Sequence, residues 1–332
     1  MAELQVVVLA GGVGAARFLG GLVETKGNDS DITVISNTAD DIRLFGLQVC
    51  PDLDSVMYGL GGVESSDRGW GRENETFNTL EELRAYKAEP EWFQLGDRDI
   101  ATHLIRTQML DAGYSLSQVT QALCKRWEIP ATLIPMTNER VETHVVVDDP
   151  ETDHVKAIHF QEWWVRYRAS LPAREFLTIG ADVAKPAPGV LGAIGSADVI
   201  ILPPSNPVVS INPILNVPGI RQALRLANAP IVGVSPIIGG EVVRGMADKC
   251  LAAINVAATA SGIAAYYGPR SGDGLLDAWI VDELDETSVK EISQLGIKTV
   301  ATKTLMSEPG VSKKLAETVL ELANQVTKAK DA

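Results

Sequence analysis

Cysteine is scarce in this chain: Cys50, Cys124 and Cys250 are the only three in 332 residues, and they stand far apart. No CxxC pair occurs, so neither a zinc site nor a disulfide framework is indicated. The four histidines, His103, His144, His154 and His159, form no HExxH and no close pair, which leaves no histidine metal motif. His159 lies in the apolar-aromatic run AIHFQEWW and reads as structural. Basic charge is short too, with 29 Lys and Arg against 43 Asp and Glu, a net charge of -14 and a pI near 4.8. Such a surface repels nucleic acid and anionic lipid, and neither is expected as a partner. It also repels a free anionic substrate, so a phosphate ligand would need local donors, a metal ion or a few basic groups. Long apolar runs are missing. Leu251–Gly268 is uncharged but rich in Ala, Ser, Thr, Asn and Gly, and reads as a buried helix with a turn, not a membrane span. MAELQVVVLAGG has no basic n-region and too short an apolar run for a secretory signal, so the cytoplasm is the expected location.

Two common nucleotide signatures are absent. GxGxxG would need glycine where Arg17 stands, and GxxxxGK[ST] does not occur. The second strand ends in Asn37 without a clear ribose-binding acid. What is present is an ordinary globular composition, 45% hydrophobic and 22% charged, in a chain long enough to bury a full core. Leu4–Ala10 is a Val-rich run of the kind a buried parallel strand requires. A glycine turn, a helix over Ala15–Val23 and a strand over Ile32–Asn37 complete a βαβ unit. Helical periodicity marks Glu81–Ala88 and Ala101–Glu128, with Leu104, Ile105, Met109, Leu110, Val119, Leu123 and Trp127 on apolar faces. Short strands are expected at Ala131–Pro135, His144–Asp148 and Val155–Trp164. From Asp198 strands and helices alternate again, and Val311–Val326 forms a terminal amphipathic helix. The expected fold is α/β: a Rossmann-like, doubly wound, mostly parallel sheet. One domain would span residues 1–330, with a large mixed helical and hairpin insertion over about 62–175.

Ligands of such sheets bind beyond the carboxyl ends of the strands. Three turns fall there: Gly11–Gly14, Pro203–Pro207 and Ser235–Gly240. Each is consistent with backbone N–H groups facing an anion, and equally with a tight turn chosen for its geometry. SNTADDIRLFGLQVCPDLDSV then places Asp40, Asp41, Asp52 and Asp54 close together. Clustered carboxylates in an apolar stretch suit a hard cation such as Mg²⁺; Asp54 could instead cap the helix begun by SVMYGL. In LGDRDIATHLIRTQML, Asp97 and Asp99 suit a helix start, whereas Arg98 does not and either contacts a phosphate or carboxylate or pairs with its neighbours. Arg68–Thr79, with Trp70, Asn74 and Phe77, and Phe160–Arg168 read as packed loops or as platforms for a planar ring.

Taken together, GGVGAARFL, NTADD, CPDLDSVMY, RGWGRENETFNT, LGDRDIATHLIRTQ, HFQEWWVRYR, PPSNPVVSINPIL and SPIIGG, in that order from residue 11 to about 240, resemble the 2-phospho-L-lactate transferase family of coenzyme F(420) biosynthesis, including its actinobacterial phosphoenolpyruvate transferase branch. The resemblance implies a Rossmann-like dimer. It implies a donor, enolpyruvyl- or lactyl-diphosphoguanosine, whose acid-bearing phosphoryl group passes to the terminal ribityl hydroxyl of the deazaflavin Fo. GMP is released and Mg²⁺ is required. Carried over residue by residue, Gly11, Gly12 and Gly14 lie at the nucleotide end, with Asn37 and Thr38 of NTADD and Ser205, Asn206, Ser235, Gly239 and Gly240 lining the nucleotide cleft. Asp40 and Asp54 match metal and deazaflavin-contacting acids, and Asp97 and Arg98 lie beside the acceptor. Some relatives carry glycine where Ala15 and Ala39 stand here.

Phosphoryl transfer needs alignment and charge neutralisation more than covalent work by the protein. The expected catalytic set is Asp54, Asp97 and Arg98, with Asp54 or Asp97 orienting or deprotonating the acceptor hydroxyl and Asp40 with Asp54 holding the ion. RGWGRENETFNT and HFQEWWVRYR stand closer to the actinobacterial branch and favour the enolpyruvyl donor. Two other readings compete: a nicotinamide-dependent Rossmann dehydrogenase, and a non-catalytic nucleotide-binding regulator.

Overall fold

The Val-rich run folds as a strand covered on both sides. In β1 (Val6–Ala10) every side chain is buried; Val7 and Leu9 enter one apolar cluster, and Val6, Val8 and Ala10 the other. That alternation is what a pleated strand between two layers requires. The computed structural model describes residues 4–26, 31–65, 70–149, 152, 154–243 and 245–330, so Arg68 of the Arg68–Thr79 loop lies outside the described residues. After β1 come β2 (Ile32–Ser36), a hairpin of β3 (Ile42–Leu44) and β4 (Leu47–Val49), and β5 (Thr132–Pro135). Then follow β6 (Glu142–Asp148), β7 (Val155–His159), β8 (Ala173–Ile179), β9 (Val199–Leu202) and β10 (Ile231–Val234). The last four are β11 (Ile237–Ile238), β12 (Glu241–Val242), β13 (Ala278–Val281) and β14 (Lys298–Ala301).

Seven strands form one sheet in the order β14-β13-β10-β9-β1-β2-β5, and every neighbouring pair in it is parallel. The expected α/β architecture is therefore present. One face is covered by α1 (Gly12–Lys26), α2 (Pro51–Leu60), α5 (Leu116–Cys124) and the terminal helix Val311–Lys330. The other is covered by shorter helices and by the antiparallel sheet β7-β6-β8. The chain leaves β1 towards β2 and β5, then returns to β1's other side at β9. The β1/β9 boundary is thus the switch point where such sheets open a crevice.

The structure departs from the expected elements in three places. The periodicity over Ala101–Glu128 splits into α4 (Asp97–Asp111) and α5, because Gly113 adopts φ +91° and Ser115 starts a new helix with a capping box to Gln118. Leu104 and Ile105 do not face the core: both are about half exposed, while Asp99, Thr102, His103, Arg106 and Thr107 form the buried side of α4. The run Val155–Trp164 is a strand only to His159; Glu162–Arg166 is helical, and Phe160 meets Trp163 at a ring separation of 6.1 Å. A three-residue spacing suits a helical turn better than a strand.

Candidate active site

Four strands deliver their ends side by side. β10, β9, β1 and β2 stop at Val234, Leu202, Ala10 and Ser36, so the turns of Ser235–Gly240, Pro203–Pro207 and Gly11–Gly14 share one sheet edge with Asn37 and Thr38. The turns interlock. Ser205 Oγ donates to the Gly11 carbonyl at 2.9 Å. A Cβ on Gly14 would stand 2.2 Å from the Pro204 carbonyl oxygen, so glycine there permits a close approach of two backbones. Asn206 caps its own helical turn through Val208 and Val209 N–H, and Ser235 Oγ closes on Ile237. Two of the glycine turns already hold a carboxylate of the chain itself. Gly239 and Gly240 N–H donate to Asp285 at 2.8 and 3.1 Å. Asp52 accepts from the Gly12 N–H and, at 2.9 Å, from Asn37 Nδ2.

Asp40, Asp41, Asp52 and Asp54 are all buried. Asp54 is not a helix cap: α2 starts at Pro51, and Asp54 lies inside its first turn. Burial, and then the neighbouring Asp52, push the Asp40 carboxyl well above the ordinary range; burial does the same to Asp41. Asp52 is raised to about 6 by burial, against the hydrogen bonds from Asn37 and Gly12. The hydroxyls of Ser36 and Thr38 and the Oδ1 atoms of Asp40 and Asp41 have no protein partner. Buried oxygens without a protein partner are normally satisfied by a water, an ion or a ligand. His159 ties β7 to the backbone of this cluster: its Nδ1 accepts from Gln161 N–H at 3.1 Å, so Nε2 carries the proton and donates to the Asp41 carbonyl at 3.1 Å.

Asp54 has a different setting. Arg106, itself buried, reaches across from α4 and grips both of its oxygens, Nη1 to Oδ2 at 3.1 Å and Nη2 to Oδ1. Burial alone would lower Arg106, but Asp54, joined by Cys50 and Tyr58, more than offsets it and holds the guanidinium above its ordinary value. Nη1 also donates to His103 Nδ1 at 3.0 Å. His103 Nε2 lies 3.4 Å from Asp99 Oδ2, and Tyr58 donates to Asp99 Oδ1 at 2.6 Å. Asp54, Asp99 and His103 bring ligand-type atoms within 4.8 Å of one another, yet they do not make a metal site. An arginine cannot accept, so Nδ1 must, and Nε2 then carries hydrogen instead of a lone pair.

Asp97 and Arg98 stand apart from these groups. Both oxygens of Asp97 are occupied at the start of α3 (Asn78–Ala85): it accepts from Thr76 Oγ1, Asn78 N–H and Nδ2, and Thr79 N–H at 2.6–3.0 Å. Those bonds, Thr76 first, hold its carboxyl below the ordinary range. Glu75 returns the favour, accepting from Arg98 and Asp99 N–H at the start of α4. The two segments RENETFNT and GDRD thus cap each other's helices. The Arg98 side chain is exposed.

The model of the family described as 2-phospho-L-lactate transferase CofD matches residues 6–318. A phosphoenolpyruvate transferase of Streptomyces griseus subsp. griseus is 57% identical, covering 97% of this chain and 99% of its own. One of Mycolicibacterium smegmatis is 51% identical over 96% and 99%. The chain belongs to the 2-phospho-L-lactate transferase family. It is an enzyme, a transferase of the phosphoenolpyruvate/2-phospholactate class. A crystal structure of a UPF0052-family protein from Bacillus halodurans shares the fold, with a TM-score of 0.60 at 19% identity and coverage of 96% and 99%.

Within this transferase, the magnesium ion expected from the resemblance fits the donors present. Asp40, Asp41 and Asp52 offer hard oxygens, two of them unpartnered, in a buried cluster whose carboxylates repel one another. Of Asp40 and Asp54, only Asp40 has an oxygen free of protein partners. Sequence reasoning missed Arg106, His103 and Asp99. Their spacing of four and three puts them on one face of α4, a signal outweighed by the apolar residues on the opposite face. Among the described residues no helix is long and apolar enough to cross a membrane.

Proposed function

We propose that this transferase moves the enolpyruvyl-phosphoryl group of a guanosine diphosphate ester to the ribityl hydroxyl of Fo in coenzyme F(420) biosynthesis. The observation that carries the reading is the buried pair Asp40 and Asp41, each with an unpartnered carboxylate oxygen, which follows β2 at the sheet edge shared with the glycine turn. The names of the relatives at 51–57% identity support the enolpyruvyl donor over the lactyl one. Family membership sets aside the dehydrogenase and the non-catalytic regulator.

In this reading the nucleotide lies along Gly11, Gly12, Gly14, Ser205, Asn206 and Ser235. The Gly239–Gly240 turn is kept in shape by Asp285, and the open hydroxyl of Thr38 and Asn37 face the donor. Asp40 would hold the magnesium ion through its unpartnered oxygen, with Asp54 as the second candidate ligand. When bound, the ion neutralises charge on the diphosphate and on the departing GMP. Asp54 orients the acceptor hydroxyl and takes its proton; each of its oxygens keeps a second lone pair after Arg106 has taken one. The hydroxyl oxygen bonds to the phosphorus that carries the acid, and the bond from that phosphorus to the GMP oxygen breaks with its electron pair leaving on GMP. Asp97 contributes by tying the start of α4 to α3, and Arg98 offers an exposed charge for an anionic group of a substrate. The enzyme works as a cytoplasmic homodimer, which light scattering of the purified protein checks.

The test is a transfer assay with Mg²⁺, Fo and each guanosine diphosphate donor in turn, read by mass spectrometry. Formation of GMP and the enolpyruvyl phosphodiester of Fo is the expected result. Absence of product with both donors, from folded protein that still binds GDP, would overturn the reading.

A further inference from the structure

We propose that Arg106 is a positioning residue for the transfer, fixing the orientation of the Asp54 carboxylate at the reacting centre. The inference rests on the reading above, in which Asp54 faces the acceptor hydroxyl. Arg106 is among the largest fully buried side chains of the described residues. It bridges two helices: its base is on α4, and its fork closes on both oxygens of Asp54 in α2. A two-pronged guanidinium–carboxylate contact fixes direction as well as distance. Arg106 is in turn held from behind. His103 Nδ1 and the Gln48 carbonyl accept from Nη1 at 3.0 and 3.3 Å, His103 faces Asp99, and Asp99 is anchored by the Tyr58 hydroxyl and by its own N–H on Glu75.

Stability alone does not account for this arrangement. α4 turns Asp99, His103 and Arg106 inward and leaves Leu104 and Ile105 half exposed. Reversing that choice would cover the exposed halves of two large aliphatic side chains, a favourable burial. A buried ion pair is on average no more stabilising than well-packed apolar residues of the same volume. What the pair supplies is a carboxylate that cannot rotate, and small misplacements at a reacting centre are costly.

The experiment is a double-mutant cycle on kcat with Arg106→Lys, Asp54→Asn and the combined variant, each checked for folding by its thermal transition. Lysine keeps the charge and loses the fork. Arg106→Lys is expected to lower kcat at least about tenfold with donor KM within about threefold, and to add less than about twofold in the Asp54→Asn background. Wild-type kcat in Arg106→Lys, or additive losses in the double variant, would overturn the proposal. Should Arg106→Lys fail to fold, His103 decides. His103→Asn keeps an acceptor at the Nδ1 position and retains kcat within about threefold; His103→Leu deletes it and loses about tenfold. Equal kcat in the two would count against the proposal. A wild-type enzyme inactive with both donors is a separate outcome, which overturns the transfer reading itself and this inference with it.

Discussion

A methyl group on Gly14 would meet the Pro204 carbonyl oxygen at 2.2 Å, and neither backbone can yield without moving β1 or β9. Gly14→Ala is therefore expected to destabilise the enzyme by about 1–3 kcal/mol, read as a lower denaturant midpoint. Gly20, on the same helix with nothing within 4 Å of its Cβ position, is the control: Gly20→Ala should gain about 0.5–1 kcal/mol. At Asp40 the expectation concerns the ion. Magnesium should raise the melting temperature of the wild-type protein by relieving a crowded, buried carboxylate. Asp40→Asn should abolish that rise while leaving the metal-free transition in place. An undiminished magnesium effect in Asp40→Asn would remove Asp40 from the metal site. The residues themselves show what was legible. The Asp40–Asp54 cluster could be found because it is dense in sequence. Arg106 could not, because its meaning comes from Asp54, which lies 52 positions away.

Among the elements, the parallel strands were readable because covered strands are continuous apolar runs, as in VVVLA and VIIL. The break between α4 and α5 was passed over, although Gly113 in the left-handed region and Ser115 as a capping residue mark it; apolar periodicity continues across both and hides it. α4 was misjudged for a physical reason. Periodicity shows that a helix has two faces, and hydrophobicity assigns the inner one; here the inner face is polar because Asp54, Tyr58 and Gln48 wait on the other side with partners. Asp97 teaches the same point: GDRD suited both a helix start and a contact to the acceptor, and its hydrogen bonds make it half of a reciprocal cap. Asp97→Asn is expected to lower the melting temperature while leaving kcat per folded enzyme within about threefold. A large loss of kcat with an unchanged transition would instead put Asp97 in direct contact with the acceptor.

For the molecule as a whole, the acidic surface and the buried acids pull stability in one direction as pH rises. Asp52 titrates near 6 when folded, against an ordinary 3.8. Between those values the unfolded chain has already released the proton that the folded chain retains. Rising pH therefore favours unfolding across that window, by up to about 3 kcal/mol from this group. Asp40 and Asp41, also raised by burial, act in the same sense. Asp99 acts in the opposite one: burial raises it, but His103, Tyr58 and Arg106 together lower it further. Asp52→Asn removes the ionisation, so its melting temperature should exceed wild type at pH 7.5 and approach it at pH 4.5, where the folded wild-type group keeps its proton. Equal differences at the two pH values would mean that Asp52 is not the group being charged. Since magnesium relieves the same crowding, it should narrow the gap between Asp52→Asn and wild type at pH 7.5. The cluster of buried acids is thus a store of unfavourable energy that folding tolerates, and a cation bound at the sheet edge is expected to release it.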